Sequence, residues 1–256
     1  MRKYLLLCLL VLLPASLSQA GSGLPQGFVA LRDVDPSIIQ DIRYHGFHNF
    51  LGRPVAGYDA PECILTTQAA TALQAVQREL AAKGLGLKVY DGYRPQRAVD
   101  DFVAWSEQPA AQATKAEFYP NVDKKDFFDL GYVAKKSGHS RGSTVDVTII
   151  PLPAPAAATG GAYAPGQPLT ACTGVYGKRF DDGSIDMGTG FDCMDVLSHP
   201  GSDAVSSQAK ANRMLLRQVM EKHGFKPYEY EWWHFTLKNE PFPDTFFDFP
   251  VAAQGK

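Results

Sequence analysis

The chain has 256 residues, and its 25 basic and 27 acidic side chains give a formal net charge of −2 at pH 7. This length is enough for one large domain with a sizeable core. The basic residues form no run and no basic face, so the sequence argues against a nucleic-acid partner.

The first twenty residues have the pattern of a secretory signal peptide. A basic start precedes a ten-residue apolar run over residues 4–13, and Ala20 ends a small-residue cleavage site. Ten apolar residues are too few to cross the roughly 30 Å of hydrocarbon in a bilayer, so no stable membrane insertion is predicted. We expect residues 1–20 to be removed during export and residues 21–256 to form one domain.

Strands and a helix are predicted in the first part of that domain. Short strands are expected at residues 28–33 and 38–44. The next element is a helix that is capped by Thr66 or Thr67 and ends before Gly84. Its apolar positions recur at spacings of four, three and four residues, which is typical of one buried helix face.

The rest of the chain continues this alternation. In chain order, the sequence predicts a strand at 87–91, a helix ending near Glu107, a strand at 143–150, a loop at 151–169, a helix at 206–223 and a strand at 232–237. Because helices and strands are mixed without an internal repeat, we expect a single α+β domain.

The stretch GHSRGSTVD, from Gly138 to Asp146, has two interpretations. Its G-x-S-x-G letters match the turn that presents a nucleophilic serine, here Ser140. That turn needs an apolar strand before it and a helix after it. The residues before it are polar and those after it are typical of a strand, so this context argues against a serine nucleophile.

In the second interpretation, His139 and Asp146 are metal ligands. His139 lies on a loop that Gly142 separates from the strand at 143–150, and Asp146 lies on that strand. Alternation along the strand turns Asp146 away from the apolar positions. A metal would offset the cost of burying its charge. The alternative is a strand whose aspartate faces solvent.

A second cluster supplies a further ligand. Glu231 stands three residues before His234, among aromatic residues. Catalytic zinc typically has three protein ligands and one open position, and His139, Asp146 and His234 would be the three. Glu231 could then move protons as general base and acid. Residues three apart on a strand face opposite ways, so this interpretation requires a bend before Trp232. The alternative is an aromatic strand with a structural histidine.

Arg94 follows the strand at 87–91 in the sequence VYDGYRP. A cation fixed at a strand end can stabilise the oxyanion of a tetrahedral intermediate. The alternative is an arginine that pairs with Asp91 in the turn.

Three motifs resemble those of one known family. They are Y-R-P at 93–95, S-x-H-x-x-G-x-x-x-D at 137–146 and E-x-W-H at 231–234. In this order and spacing they resemble the zinc D-alanyl-D-alanine dipeptidases of bacteria, which include the enzyme of vancomycin-resistance operons. The resemblance extends over residues 31–251.

The resemblance implies a fold, a cofactor and a site. The fold would be a compact α+β domain with a small central antiparallel sheet that carries one Zn²⁺ per chain, flanked by helices. The implied roles are zinc binding by His139, Asp146 and His234, general base and acid catalysis by Glu231, transition-state stabilisation by Arg94, and binding of the substrate's amino group by Ser137 and Asp192.

The implied activity is hydrolysis of the dipeptide D-Ala-D-Ala to two D-alanines. An exported copy would act in the periplasm, on dipeptide released during cell-wall turnover. One alternative is a D,D- or L,D-carboxypeptidase that acts on peptidoglycan stem peptides. Another is a non-catalytic, zinc-containing protein that binds cell-wall fragments. The sequence does not predict the oligomeric state.

Two features concern the later part of the chain. Residues 151–186 are longer than the turn expected from the family, which affects access to the pocket. A disulfide between Cys172 and Cys193 is predicted, and closing a loop of about twenty residues would stabilise the fold by roughly 3 kcal/mol. Cys63 is expected to stay reduced and buried, although it could pair with either of the other two.

Overall fold

The structure is a computed structural model that describes residues 23–159 and 163–254. The predicted signal peptide lies outside these residues and stays a prediction. Within the described ranges, no helix is long and apolar enough to span a membrane.

The described chain contains seven strands and five α-helices. The strands are Phe28–Ala30 (β1), Ile39–Gln40 (β2), Ile64–Thr66 (β3), Leu85–Asp91 (β4), Thr144–Pro151 (β5), Phe225–Pro227 (β6) and His234–Leu237 (β7). The helices are Leu31–Val34 (α1), Thr67–Ala81 (α2), Gln96–Ser106 (α3), Lys115–Phe118 (α4) and Ser207–Lys222 (α5). One hydrophobic core joins them, so the α+β class and the single domain are confirmed.

A five-stranded sheet with the order β2-β4-β5-β7-β6 forms the centre of the fold. The pairs β4–β5, β5–β7 and β7–β6 are antiparallel, whereas β2 pairs with β4 in parallel at one edge. The sheet is therefore mixed rather than wholly antiparallel. Its central strand β5 is buried on both faces from Thr144 to Ile150, so an acid on either face is desolvated. A second, two-stranded sheet pairs β1 with β3.

The two long helices form as predicted. Thr66 Oγ1 accepts a hydrogen bond from the Ala69 N–H, and Ser206 Oγ does the same for Ala209, so each helix begins at a side-chain cap. Gly84 and Gly224 follow their C-termini with φ values of +73° and +92°, a conformation in which glycine is favoured.

The first two predicted strands are too long. The strand expected at 28–33 pairs only as far as Ala30, which lies opposite Ile64, the first residue of β3, and the chain continues as helix α1. The strand expected at 38–44 ends at Gln40 and is followed by a 3-10 turn over Arg43–His45. Tertiary pairing limits both strands, and periodicity in the sequence cannot reveal that limit.

The cysteine predictions are confirmed. Cys172 and Cys193 form a disulfide, and Cys63 is a free, fully buried thiol.

Candidate metal centre

Three neighbouring strands meet at one end of the central sheet. Asp91 of β4 lies directly opposite Asp146 of β5, and Asp146 lies opposite His234 of β7 on its other side. Adjacent partners in antiparallel strands lie about 4.5–5.5 Å apart. The register therefore places these three side chains in one row across the sheet.

A tight turn adds His139 to this row. The 3-10 turn Gly138–Arg141 ends at Gly142, which has a φ of +79°. A Cβ atom at Gly142 would lie 2.2 Å from the Phe28 ring, so only glycine fits there. The backbone N–H of His139 donates to Ser137 Oγ, which fixes the start of the turn.

Three ligand atoms converge at this point. Asp146 Oδ1 lies 3.3 Å from His139 Nε2 and 3.2 Å from His234 Nδ1, and the two histidine nitrogens are 3.3 Å apart. Tetrahedral zinc with bonds of about 2.0–2.1 Å separates its ligand atoms by about 3.3 Å. The observed triangle fits one face of such a tetrahedron. In the described residues, this is the one group of its kind that could hold a metal ion.

Asp146 Oδ1 is left without a conventional partner. The atom is buried and accepts no hydrogen bond from the described residues. An unsatisfied buried carboxylate oxygen costs several kcal/mol, and a bound cation would remove that cost. The donor set of two imidazoles and one carboxylate suits zinc.

His139 is fixed in the tautomer that a metal requires. Its Nδ1 lies 2.7 Å from the Gly92 carbonyl oxygen. Because a carbonyl only accepts, Nδ1 carries the hydrogen and Nε2 keeps its lone pair. The free nitrogen is the one that faces Asp146.

The electrostatics of the cluster favour a positive charge. Burial of His234 opposes its protonation, but the neighbouring carboxylates of Asp146 and Glu231 stabilise the charged form and raise the pKa of His234 to about 9. A cation that replaces this proton would experience the same attraction.

Glu231 reaches the site because the chain bends before strand β7 begins. Trp232 and Trp233 form a turn, and strand β7 begins only at His234. The bend brings Glu231 Oε2 to 3.3 Å from His234 Nδ1. The strand predicted at 232–237 therefore begins two residues late, and the turn lies within Trp232–Trp233 rather than before it. The carboxylate lies beside the ligand triangle rather than across the strand from it.

Arg94 fits both of its interpretations. Its Nε and Nη2 each lie 2.9 Å from Asp91 Oδ2, so the expected pair forms. Its Nη2 also lies 3.7 Å from Asp146 Oδ2, and the guanidinium packs over the rings of Tyr44 and Phe102. Asp91 therefore holds Arg94 against the metal cluster instead of drawing it away.

A cavity of about 270 Å³ opens onto the cluster. Six of the predicted site residues line it: Arg94, Ser137, Asp146, Asp192, Glu231 and His234. The seventh, His139, is buried behind the lining. The structure therefore brings the predicted residues together in one place.

Ser140 lies outside that cavity lining. Its side chain is fully buried, and Oγ has no hydrogen-bond partner among the described residues. A nucleophilic serine needs a base within reach and access to substrate, and Ser140 has neither.

Residues 25–154 and 157–252 match the family model described as D-Ala-D-Ala dipeptidase, within the M15 peptidases. The chain belongs to this family. As a member of the D-Ala-D-Ala dipeptidase family, it is a hydrolase.

Three relatives are D-alanyl-D-alanine dipeptidases. The protein from Streptomyces coelicolor is 42% identical over 88% of this chain and 98% of its own length. The protein from Enterococcus faecium is 37% identical over the same shares of the two chains. The protein from Escherichia coli is 30% identical over 82% of this chain and 83% of its own.

Among the residues of this cavity that sequence reasoning missed, Tyr44 contacts a predicted site residue directly. Tyr44 lines the cavity, and its hydroxyl donates to Asp192 Oδ2 at 2.8 Å. Asp192 has a φ of +56°, which is uncommon for a residue other than glycine and turns its carboxyl into the cavity. Tyr44 lay in a predicted strand, and no local pattern connects residues 148 positions apart.

Proposed function

We propose that this chain is a zinc-dependent dipeptidase that hydrolyses D-Ala-D-Ala outside the cytoplasm. The observation that carries the proposal is the triangle of ligand atoms, 3.2–3.3 Å on each side, beside a carboxylate and a cavity with a second carboxylate. The names of the family and its relatives support the choice of dipeptide.

His139, Asp146 and His234 would hold the zinc ion. Zinc, when bound, lowers the pKa of a water molecule to about 7 and polarises the scissile carbonyl. Glu231 would take a proton from the attacking water and later donate it to the leaving D-alanine amine. Its Oε2 lies close to the cluster, at 3.3 Å from His234 Nδ1, which suits proton transfer at that point.

Arg94 would stabilise negative charge that develops on the carbonyl oxygen. Asp91 fixes its Nε and Nη2, and the Arg94 side chain lines the catalytic cavity. A guanidinium that is held in place pays no reorganisation cost when the charge appears. Removing one such donor typically costs about 100-fold to 1,000-fold in kcat.

Asp192, which accepts a hydrogen bond from Tyr44, would bind the substrate's amino group together with Ser137. In a free dipeptide this group is an ammonium, whereas in a stem peptide it is an uncharged amide. A charge-assisted hydrogen bond to the ammonium contributes roughly 1.5–3 kcal/mol. An acylated substrate would instead leave the buried Asp192 without the ammonium, and with only the Tyr44 hydroxyl as a donor.

The charge state of Asp192 depends on what is bound. Burial and the nearby charge of Asp146 raise the pKa of Asp192, and the hydrogen bond from Tyr44 offsets only part of that rise. A substrate ammonium would favour the ionised carboxylate. Binding of the dipeptide would therefore favour the ionised form of Asp192, which the empty pocket disfavours.

Two features support a location outside the cytoplasm. The first twenty residues have the signal-peptide pattern. The Cys172–Cys193 disulfide is typical of exported proteins. We infer a periplasmic enzyme that scavenges dipeptide.

The test is kcat/KM for D-Ala-D-Ala, L-Ala-L-Ala and N-acetyl-D-Ala-D-Ala, with and without a chelator. We expect a preference of at least about tenfold for the free over the acetylated D,D-dipeptide, since about 1.4 kcal/mol is tenfold. Asp192→Ala should reduce that preference by weakening the free dipeptide, with no change in zinc content. Equal cleavage of both D,D-substrates by the wild type would favour a carboxypeptidase, and zinc without turnover would favour a binding protein.

A further inference from the structure

The disulfide between Cys172 and Cys193 reaches the wall of the catalytic cavity. Cys193 lines that cavity and directly follows Asp192, the carboxylate proposed to bind the substrate's amino group. Cys172 comes from the stretch at 151–186. Both half-cystines are almost fully buried, at 3% and 1% exposure. The bond therefore connects this stretch to the residue next to Asp192.

Cys172 holds the chain on both sides of Asp192. On one side, the Gly190 N–H donates to the Cys172 carbonyl oxygen at 2.9 Å. On the other side, Cys193 is joined to the Cys172 sulfur. Phe191 and Asp192 are the two residues between these attachments. One residue thus fixes both ends of a two-residue segment.

Cys172 is itself anchored to the body of the domain. Its N–H donates to the carbonyl oxygen of Glu117 in helix α4 at 3.0 Å. The next residue of that helix, Phe118, accepts a hydrogen bond at its carbonyl oxygen from the Met194 N–H at 2.8 Å. Helix α4 therefore supports both Cys172 and the residue that follows Cys193.

The backbone of Asp192 needs such support. Its φ of +56° lies in the left-handed region, where the Cβ of a residue other than glycine crowds a carbonyl oxygen. A conformation of this kind persists where the surrounding structure imposes it. Tyr44 holds the carboxylate, and Tyr90 packs on the Phe191 ring, but both contacts act on side chains. The disulfide acts at Cys193, directly beside the strained backbone.

The metal cluster has other supports. His139 lies on the 3-10 turn before β5, Asp146 lies on β5 and His234 lies on β7. None of these three ligands lies between Cys172 and Cys193 in the chain. Loss of the disulfide should therefore loosen the amino-group subsite and leave the metal ligands in place.

We propose that the Cys172–Cys193 disulfide is a positioning element for substrate selection. It keeps Asp192 in the left-handed conformation that turns its carboxylate into the cavity, and it thereby sets the preference for a free amino terminus. This inference rests on the proposed function, in which Asp192 binds the substrate ammonium. A disulfide that only stabilised the loop would not change which substrate is preferred.

The first test compares kcat and KM for D-Ala-D-Ala and N-acetyl-D-Ala-D-Ala in the wild type and in Cys172→Ala/Cys193→Ala. The preference for the free dipeptide should fall at least about fivefold, because a misplaced Asp192 loses much of its charge-assisted hydrogen bond. The loss should appear as a higher KM for the free dipeptide, since the ammonium is bound in the ground state too. Zinc content should not change. If that protein fails to fold, Cys172→Ala/Cys193→Val, which restores most of the lost volume, gives the same comparison.

Leu73→Ala is the control for a general loss of stability. Leu73 is fully buried on helix α2 and lies outside the lining of the catalytic cavity. This variant should unfold more easily and keep the wild-type preference. An equal fall in preference in Leu73→Ala would overturn the proposal, and so would an unchanged preference after removal of the disulfide.

The second test repeats the double cysteine substitution in Asp192→Ala. With no carboxylate to position, removal of the disulfide should leave the remaining preference unchanged, so the two changes should be strongly non-additive. A disulfide that acts only through loop stability would reduce the preference by the same factor in both backgrounds. That result would overturn the proposal.

The third test measures the restraint itself, without substrate. Hydrogen exchange at the Gly190 amide should be at least about tenfold faster in Cys172→Ala/Cys193→Ala, because its acceptor on Cys172 is no longer held covalently. The Ala69 amide, in the first turn of α2, opens by local fraying and should not change. Unchanged exchange at Gly190 would overturn the proposal.

These measurements separate the two proposals. A wild type without a preference for the free dipeptide, in which Gly190 exchange still depends on the disulfide, would reject the proposed function and retain the restraint on Asp192. A wild-type preference that survives loss of the disulfide would reject this inference alone.

Discussion

Two clusters of charged or ligand-type side chains among the described residues differ in how their charges are balanced. In the metal cluster, His139, Asp146 and His234 point three ligand atoms at one point, and Asp146 Oδ1 has no hydrogen-bond donor in the described part of the chain. The ion-pair cluster consists of Asp41, Arg43, Lys88 and Asp182.

The ion-pair cluster is internally balanced. Arg43 pairs with Asp41 at 2.7 Å and with Asp182 at 3.1 Å, and Lys88 pairs with Asp182 at 3.1 Å. Lys88 is fully buried, yet it has two carboxylates within 4 Å. Burial of charge alone is therefore a poor sign of a functional site. A better sign of a functional site is a set of converging ligand atoms with no cation to balance them.

The largest expected effect comes from breaking the metal cluster at its carboxylate. Asp146→Asn removes the charge that attracts the cation, so zinc should be lost and kcat/KM should fall more than about 100-fold. This is a larger effect than the loss of a residue that only hydrogen-bonds to a metal ligand, which typically costs about 10-fold to 100-fold. Metal analysis and dipeptide turnover measure this. Asp182→Asn is the matched control in the other cluster and should keep its zinc. Full zinc occupancy in Asp146→Asn would show that the ligand set is wrong.

Breaking the ion-pair cluster should affect stability rather than metal binding. Asp182→Asn leaves Arg43 and Lys88 with one carboxylate between them, and removing one partner of a buried pair typically costs about 3–5 kcal/mol. Urea unfolding should show this loss in the free energy of unfolding. A loss below about 1 kcal/mol would mean that the cluster is no more important than a surface pair.

The same substitution should change the pH dependence of stability. Burial opposes ionisation of Asp182, but Lys88 and Arg43 outweigh it and hold the pKa of this carboxyl well below its ordinary value. A lowered folded-state pKa stabilises the fold above the ordinary aspartate pKa of about 3.9, and that contribution is lost as pH falls. The wild type and Asp182→Asn should therefore converge in stability in acid. A difference that stays constant from neutral pH to acid would contradict this.

A smaller effect is expected at Tyr58, which positions Arg94 through Asp91. The Tyr58 hydroxyl donates to Asp91 Oδ1 at 2.6 Å. Tyr58→Phe removes this bond, worth about 0.5–1.5 kcal/mol, so kcat should fall up to about tenfold. KM and zinc content should change little, because Arg94 is proposed to act on the transition state. A rise in KM at constant kcat would assign Tyr58 to substrate binding instead.

The smallest effect is expected at Ser140. Ser140→Ala should keep kcat/KM within about twofold, since the Ser140 hydroxyl has no hydrogen bond to lose among the described residues. A serine-directed fluorophosphonate that labels Ser140 and stops turnover would revive the serine interpretation.

Much of the metal cluster could be predicted because its residues lie in short motifs. His139, Asp146, Glu231 and His234 lie in two short motifs, where strand alternation and spacing limit their directions. The helices α2 and α5 were predicted for the same reason, since caps and periodicity are local signals.

The remaining features depend on contacts between distant residues. Tyr44 donates a hydrogen bond to Asp192, 148 positions away in the sequence. The parallel pairing of β2 with β4 likewise joins strands that are distant in the sequence, so local strand propensity does not predict it. Residues 176–191 form a loop without periodicity, so the sequence carried no signal for its conformation. Whether residues 151–186 are an insertion stays a prediction; the family match runs through all of them except 155–156.

The most direct test of the account is to measure zinc content and kcat together in Glu231→Gln. Glu231 is proposed to move protons and not to bind metal, so the variant should keep about one zinc per chain while kcat falls at least about 100-fold. His234→Ala, prepared in parallel, should lose its zinc. A zinc-free Glu231→Gln protein, or one that keeps wild-type kcat, would contradict the assignment.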